Sequence, residues 1–201
     1  MKVLAISFSP KKNGNTVTVL EKALEGARKE GAKAELYSVS GKTIMPCDAC
    51  STCGKTGKCH IKDDMQDLYE KILGADGIIF GTPVYFWGMT GQAKTVMDRT
   101  IALTGPERNL DNKPAGLVVM AGSLGAADTM KDFYYYIVQR HMLPANQVSA
   151  YPHDPEELKK WEQCMKASFD LGRQIVALIK LDFKYPKEFF RGPGAFGTYM
   201  K

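Results

Sequence analysis

No stretch of this 201-residue chain approaches the roughly 18 to 20 uninterrupted apolar residues that a membrane-spanning helix needs. The opening "MKVLAISFSPKKNGNT" has too short an apolar run for a secretory signal, so the thiols are expected to meet a reducing cytoplasm, where a disulfide framework is not expected. Neither G-x-G-x-x-G nor G-K-[ST] follows the first strand, which leaves out the dinucleotide fingerprint and the P-loop. The three histidines, His60, His141 and His153, are not spaced as a metal set, and no Ser/His/Asp or Cys/His hydrolase pairing can be assembled. Internal repeats and low-complexity linkers are also missing. The net charge of +5 comes from lysines scattered over presumed helix surfaces, which gives no argument for nucleic-acid binding.

What is present is an alternation of short apolar runs and helical stretches. "KVLAISF", "KAELYSV", "ADGIIFGTP", "AGLVVMAG" and "QVSAY" read as strands, and the continuous apolar character of the fourth suits a parallel strand covered on both faces. Between them lie helical patterns: from about Thr16, with Thr16 or Asn15 as cap, to a stop at Gly31; from Asp63 or Asp64; from Gly91 to Leu103; and up to Met142. Asp154 and Pro155 begin one long final helix whose Leu158, Trp161, Met165, Phe169, Gly172, Val176 and Ile179 share a side. Five strands alternating with helices predict an α/β fold with a doubly wound parallel sheet, whose chemistry sits beyond the carboxyl ends of the strands. Residues 1–181 read as one domain, with a cysteine-rich insertion at 40–63 after strand two. Residues 182–201, "DFKYPKEFFRGPGAFGTYMK", read as an irregular C-terminal arm that packs on a neighbour in a homo-oligomer.

Two of the loops carry chemistry. In "SPKKNGNT", Ser9, Asn13, Asn15 and Thr16 supply donors, Lys11 or Lys12 a cation, and a helix N-terminus stands behind them, which suits a phosphate monoester as well as it suits an ordinary capped turn. The second loop, "PCDACSTCGKTGKC", packs four of the five cysteines into a C-x2-C-x2-C-x5-C run of Cys47, Cys50, Cys53 and Cys59. Two-residue gaps present three thiolates to one inorganic core, and Gly54 and Gly57 let the chain double back with the fourth, as a [4Fe–4S] cluster requires. Free or redox-active thiols and tetrahedral zinc are the competing uses. His60 reads as a polar neighbour of this loop, Cys164 as a packed core thiol, and Asp98 with Arg99 as a surface or interface ion pair. Lys42, Lys55, Lys58 and Lys62 surround the loop with Asp48 alone opposing them, a bias that suits an acidic partner or simply a solvated loop.

"SPKKNGNT", "GTPVYFWGMTGQAKTVMDR" and "MAGSLG", at these separations, resemble the flavodoxin-like NAD(P)H-dependent FMN reductase superfamily over roughly residues 1–150. The resemblance implies a sheet of order 2-1-3-4-5 binding FMN. Ser9, Lys11, Asn13, Asn15 and Thr16 would hold its phosphate, Pro83, Val84, Tyr85, Phe86 and Trp87 would line the isoalloxazine, and Ala121, Gly122 and Ser123 would close the other side. With the four cysteines inserted after strand two, the chain resembles the iron–sulfur flavoproteins within that superfamily. That family implies a [4Fe–4S] cluster, FMN, electron transfer and a homo-oligomer in which the cluster and flavin of adjoining subunits approach one another. Because a cluster passes electrons singly and FMN also in pairs, the expected function is electron transfer from a ferredoxin-type donor through FMN to a small-molecule or protein acceptor. A cluster-free NAD(P)H-dependent FMN or quinone reductase and a non-catalytic flavodoxin-like carrier are the alternatives.

Overall fold

A computed structural model describes residues 1–105, 109–186 and 188. Strands β1 (Lys2–Ser7), β2 (Lys33–Ser38), β3 (Gly77–Tyr85), β5 (Pro114–Met120) and β6 (Leu143–Ala150) form a parallel sheet in the order β2-β1-β3-β5-β6. A two-residue strand, β4 (Gly88–Met89), pairs antiparallel with the end of β3 and stands off this path. Leaving that short return aside, the order is the expected 2-1-3-4-5. The crossover rule requires helices on both faces, and the central strands are buried accordingly: all seven residues of β5 are inaccessible.

One face of the sheet, with Val3, Ala5, Ile79 and Val118, is covered by α1 (Asn15–Lys29) and α7 (Glu162–Lys180). The other, with Leu4, Ile6, Phe80 and Leu117, is covered by α3 (Met65–Gly74), α4 (Gly91–Arg99) and α5 (Ala126–Gln139). Helices α1 and α7 meet backbone to backbone. A Cβ on Gly26 would stand 1.9 Å from the Phe169 carbonyl oxygen, and one on Gly172 would stand 1.7 Å from that of Ala23.

Several boundaries differ from the sequence-based expectations. Gly14, extended at φ −124°, occupies the cap position of α1, so Asn15 is already helical and neither it nor Thr16 is the cap. The third helical run stops at Arg99 and continues as a 3-10 turn, Thr100–Leu103. The fifth helix ends at Gln139 rather than Met142, because His141 turns the chain with φ 50°. Asp154 does cap its helix, accepting from the N–H groups of Glu156 and Glu157 at 2.8 and 2.9 Å, with Pro155 in the first turn. That helix, however, breaks at Trp161 into α6 (Pro155–Lys159) and α7. Most of the C-terminal arm lies outside the described residues. Its first residues turn back on their own subunit, where the Tyr185 N–H donates to Asn112 Oδ1 at 2.8 Å. Among the described residues, no helix is long and apolar enough to cross a membrane.

Candidate functional site

The loop after β1 ends at a bare helix terminus. Gly14 offers no side chain, the first turn of α1 holds no acidic residue, and the first intrahelical bond runs from Thr18 N–H to the Gly14 carbonyl. The amides of Asn15, Thr16 and Val17 are therefore without helical acceptors and point out of the N-terminus, where the dipole favours an anion. Thr16 and Ser9 are buried, while Lys11 and Asn13 are exposed beside them. Ser9 Oγ accepts from the Lys11 N–H at 3.1 Å and keeps its own O–H to donate. The Asn15 side chain donates to the Pro152 carbonyl at 3.2 Å, tying the loop to the segment after β6, and its Oδ1 is buried with no hydrogen-bond partner among the described residues. Free N–H groups, a hydroxyl and flanking cations, with no acidic residue in the first turn of α1, fit a phosphate group.

Strand β3 runs beyond the sheet to Tyr85, turns through Phe86 (φ 46°) and Trp87 (φ 62°), and returns as β4, pairing Val84 with Met89 and Tyr85 with Gly88. Two left-handed residues in a two-residue loop are the signature of a type I′ hairpin, usually built from Asn-Gly. Here two aromatic residues occupy it, at a cost on the order of 1–3 kcal/mol each. Phe86 is 94% exposed and Trp87 62%, with the rings edge to face at 6.0 Å. Tyr85, Phe86 and Trp87 thus stand on the surface at the carboxyl edge of the sheet, whereas Pro83 and Val84 are half-buried and Val84 packs against the core. Thr90, buried at the start of α4, stitches this region together: its hydroxyl donates to the Phe8 carbonyl at 3.0 Å and accepts from Ala93 N–H, while its own N–H donates to Thr82 Oγ1. Thr90 was not among the expected site residues, although a threonine just before a helical run is a legible cap signal.

The third loop lies beneath the hairpin. Ala121 is buried and donates its N–H to the Ala150 carbonyl, whereas Gly122 and Ser123 are exposed. Gly125, which sequence inspection passed over, has φ 93°, and a Cβ there would lie 2.4 Å from Trp87 Cα. Gly125→Ala forces the hairpin outward and strains the backbone, with overpacking of about 1–3 kcal/mol. We expect FMN affinity to fall about tenfold, 1.4 kcal/mol per decade, in a fluorescence titration. Unchanged affinity together with an unchanged Trp87 near-ultraviolet signal would contradict this coupling.

The cysteine loop leaves β2 and contains one short helix, α2 (Thr52–Thr56). Left-handed Ala49 (φ 57°) and Ser51 (φ 60°) bracket Cys50, and Gly57 (φ 70°) turns the chain before Cys59. Cys47 and Cys50 are exposed, whereas Cys53 and Cys59 are half-buried against the core beneath α3 and α4. Asp48 braces the loop, accepting from the Cys50 N–H at 3.2 Å and pairing with His60 Nε2 at 2.7 Å. Hydrogen bonds from the Cys50 side chain and from His60 hold its carboxyl below the ordinary range. Asp48, Cys50 and His60 bring their ligand atoms within 4.8 Å of one another. A cubane differs from a single ion in giving each thiolate its own iron, so its four sulfurs need not crowd together in this way.

Beneath the loop lies Arg99, whose expected role as a surface or interface ion pair is corrected. Asp98 does pair at the surface, with Lys94 at 2.7 Å, but Arg99 is 1% exposed. Its Nη1 donates to the Met45 carbonyl and to Asp63 Oδ2, both at 2.7 Å, and its Nη2 to Asp63 Oδ1 at 3.1 Å. Asp63 also accepts from the Met45 N–H at 2.8 Å, and the Tyr69 hydroxyl donates to the Arg99 carbonyl at 2.8 Å. Burial alone would raise the Asp63 pKa, yet Arg99 and the Met45 and Met65 N–H groups outweigh it and hold the carboxyl below the ordinary range. Arg99 Nε is a buried donor with no partner among the described residues. A buried spare donor beneath a loop that carries four thiols within thirteen residues fits an anionic iron–sulfur cluster.

The sequence profile of the NADPH-dependent FMN reductase family matches residues 1–156. An iron–sulfur flavoprotein of Methanocaldococcus jannaschii is 32% identical over 191 residues, covering 90% of this chain and 98% of that protein. The chain belongs to the iron–sulfur flavoproteins of the FMN reductase family. Like that family it is a flavin-dependent oxidoreductase with FMN as its cofactor. Solved structures share the fold at low identity: a flavone reductase with TM-score 0.71 at 22% identity, covering 92% of this chain and 65% of its own, and a flavodoxin from the domain Archaea with TM-score 0.60 at 14%, covering 90% and 99%.

Proposed function

We propose that this iron–sulfur flavoprotein transfers electrons between a ferredoxin-type donor and a small-molecule or protein acceptor, with FMN in the three loops and a [4Fe–4S] cluster on Cys47, Cys50, Cys53 and Cys59. The observation that carries it is the attachment of the four-cysteine loop, through Arg99, to the helix whose other end is bonded into the flavin loops. FMN exchanges electrons in pairs or singly and a cluster exchanges one at a time, so together they convert between the two regimes.

The chain's own residues supply binding and placement. The amides of Asn15, Thr16 and Val17, the Ser9 hydroxyl and the Lys11 ammonium, with Asn13 at the rim, hold the phosphate. Pro83, Val84, Tyr85, Phe86 and Trp87 give an apolar wall, and the backbone of Ala121, Gly122 and Ser123 offers hydrogen bonds to the ring edge. Tyr85, Phe86, Trp87, Leu124 and Tyr151 are all exposed on loops leaving the same edge. An apolar surface of that kind calls for a covering partner, and a second copy of the chain in a homo-oligomer is the occupant this reading assigns.

Iron and acid-labile sulfide, measured per protomer after anaerobic purification, test the cluster: about four of each are expected. Near-zero iron with FMN intact, or zinc in its place, would sink it. Stopped-flow mixing with reduced ferredoxin and with NAD(P)H tests the donor. Rapid hydride transfer from the nicotinamide and none from ferredoxin would leave the cluster-free reductase standing.

A further inference from the structure

We propose that Arg99 is a positioning residue: it closes both ends of the cysteine loop onto the last turn of α4, so that this one helix sets the spacing between the cysteine loop and the flavin loops. The bonds at its two ends are of different kinds: those at the N-terminus are buried, and at the C-terminus the Arg99 and Asp63 side chains are buried while Met45 lies at the surface. At the N-terminus, Thr90 joins Phe8 of the phosphate loop to Thr82 beneath the hairpin. At the C-terminus, the Arg99 guanidinium holds Met45, two residues before the first cysteine of the loop, and Asp63, four residues after the last. Nine residue steps separate Thr90 from Arg99, about 13.5 Å at 1.5 Å per residue.

The far end of the strut is braced from behind. The Thr100–Leu103 turn that continues α4 packs against α2, the helix carrying Cys53. Helix α5 holds the same turn, through the Tyr136 hydroxyl on Thr100 Oγ1 at 3.0 Å and through Arg140 on the Leu103 carbonyl. Tyr69, on α3, fixes the Arg99 carbonyl. Only a guanidinium fork reaches a carbonyl and both oxygens of a carboxylate at once, so lysine cannot replace it. An ion pair this deep is a weak source of net stability, because desolvation offsets most of its attraction; its value lies in fixing geometry.

The consequence for electron transfer rests on the cluster reading, whereas the mechanical role does not, and the test separates them. Hydrogen exchange would be followed in the full-length protein as purified, for the wild type, for Arg99→Lys, and for the double variant Arg99→Met with Asp63→Asn. The double variant leaves no uncompensated buried charge and keeps an acceptor for the Met45 N–H, so it remains informative if Arg99→Lys does not fold. Lys94→Ala, which breaks only the surface pair on the same helix, is the control. We expect residues 43–62 to exchange about tenfold faster in both Arg99 variants, with α1, α7 and FMN affinity unchanged. In iron-loaded protein the same variants are expected to shift the cluster's reduction potential and its visible circular dichroism. Unchanged loop exchange and an unchanged potential would overturn the assignment. So would equal acceleration across α1 and α7, which would make Arg99 a general stability residue. Faster loop exchange in a protein whose wild type carries no iron would uphold the clamp and overturn the cluster.

Discussion

Cys50→Ala and Cys53→Ala are each expected to take iron from about four per protomer to below one while leaving FMN bound. The two positions differ in what else they do. Cys50 is exposed between two left-handed residues, so its replacement removes a thiolate and nothing from the core. Cys53 sits on α2, half-buried against the core, and its loss removes some packing as well. Neither residue is on the phosphate loop or the hairpin, so FMN affinity should stay within about twofold of the wild type. Cys164→Ala is the control. That thiol lies on α7, packed beside the α1 side of the sheet, where burial raises its pKa and keeps it unreactive. Metal analysis and flavin absorbance on the same samples decide the matter. Wild-type iron in Cys53→Ala would remove that residue from the ligand set.

Gly172→Ala is expected to lower the melting temperature by roughly 6–12 °C, taking about 3 kcal/mol at 2–4 °C per kcal/mol for a chain of this size. In an open helix the same change would stabilise by about 1 kcal/mol, since alanine loses less backbone entropy than glycine. The sign is decided by the neighbours. The new methyl would stand 1.7 Å from the Ala23 oxygen and 2.8 Å from the Ala27 nitrogen, both backbone atoms of α1 that no rotamer change can clear. Relief requires α1 and α7 to separate, which opens the covering of one sheet face and tilts the helix whose N-terminus forms the phosphate loop. Gly74→Ala, at the end of α3 with open space around it, should leave the melting temperature nearly unchanged. Calorimetry of the two variants checks the contrast; a raised melting point for Gly172→Ala would refute the backbone contact.

The sheet was legible because its pattern is local: a run such as "LVVM" has no polar face to expose, and parallel pairing with right-handed crossovers then leaves few strand orders. The hairpin tip was not. Phe86 and Trp87 are poor turn residues by every local criterion, and a two-residue strand carries no periodicity, so "VYFWGM" reads as an undivided loop. Arg99 was misread for another reason. At the end of a helix beside Asp98 it suggests a local surface pair, and its true partner lies 36 residues earlier in a loop without pattern. The break at Trp161 is equally tertiary, since an apolar face continues through it.

The bond from Arg99 back to Asp63 also orders events on the ribosome. Chains emerge at about 5–20 residues per second. The four thiols therefore leave the exit tunnel with no anchor, and at that rate roughly 2–7 s pass while the 36 residues between Asp63 and Arg99 follow. The Asn15 side chain waits longer, for Pro152 lies 137 positions downstream. Neither the cysteine loop nor the loop after β1 attains its final form from its own segment alone, and the cysteines emerge before their geometry is set.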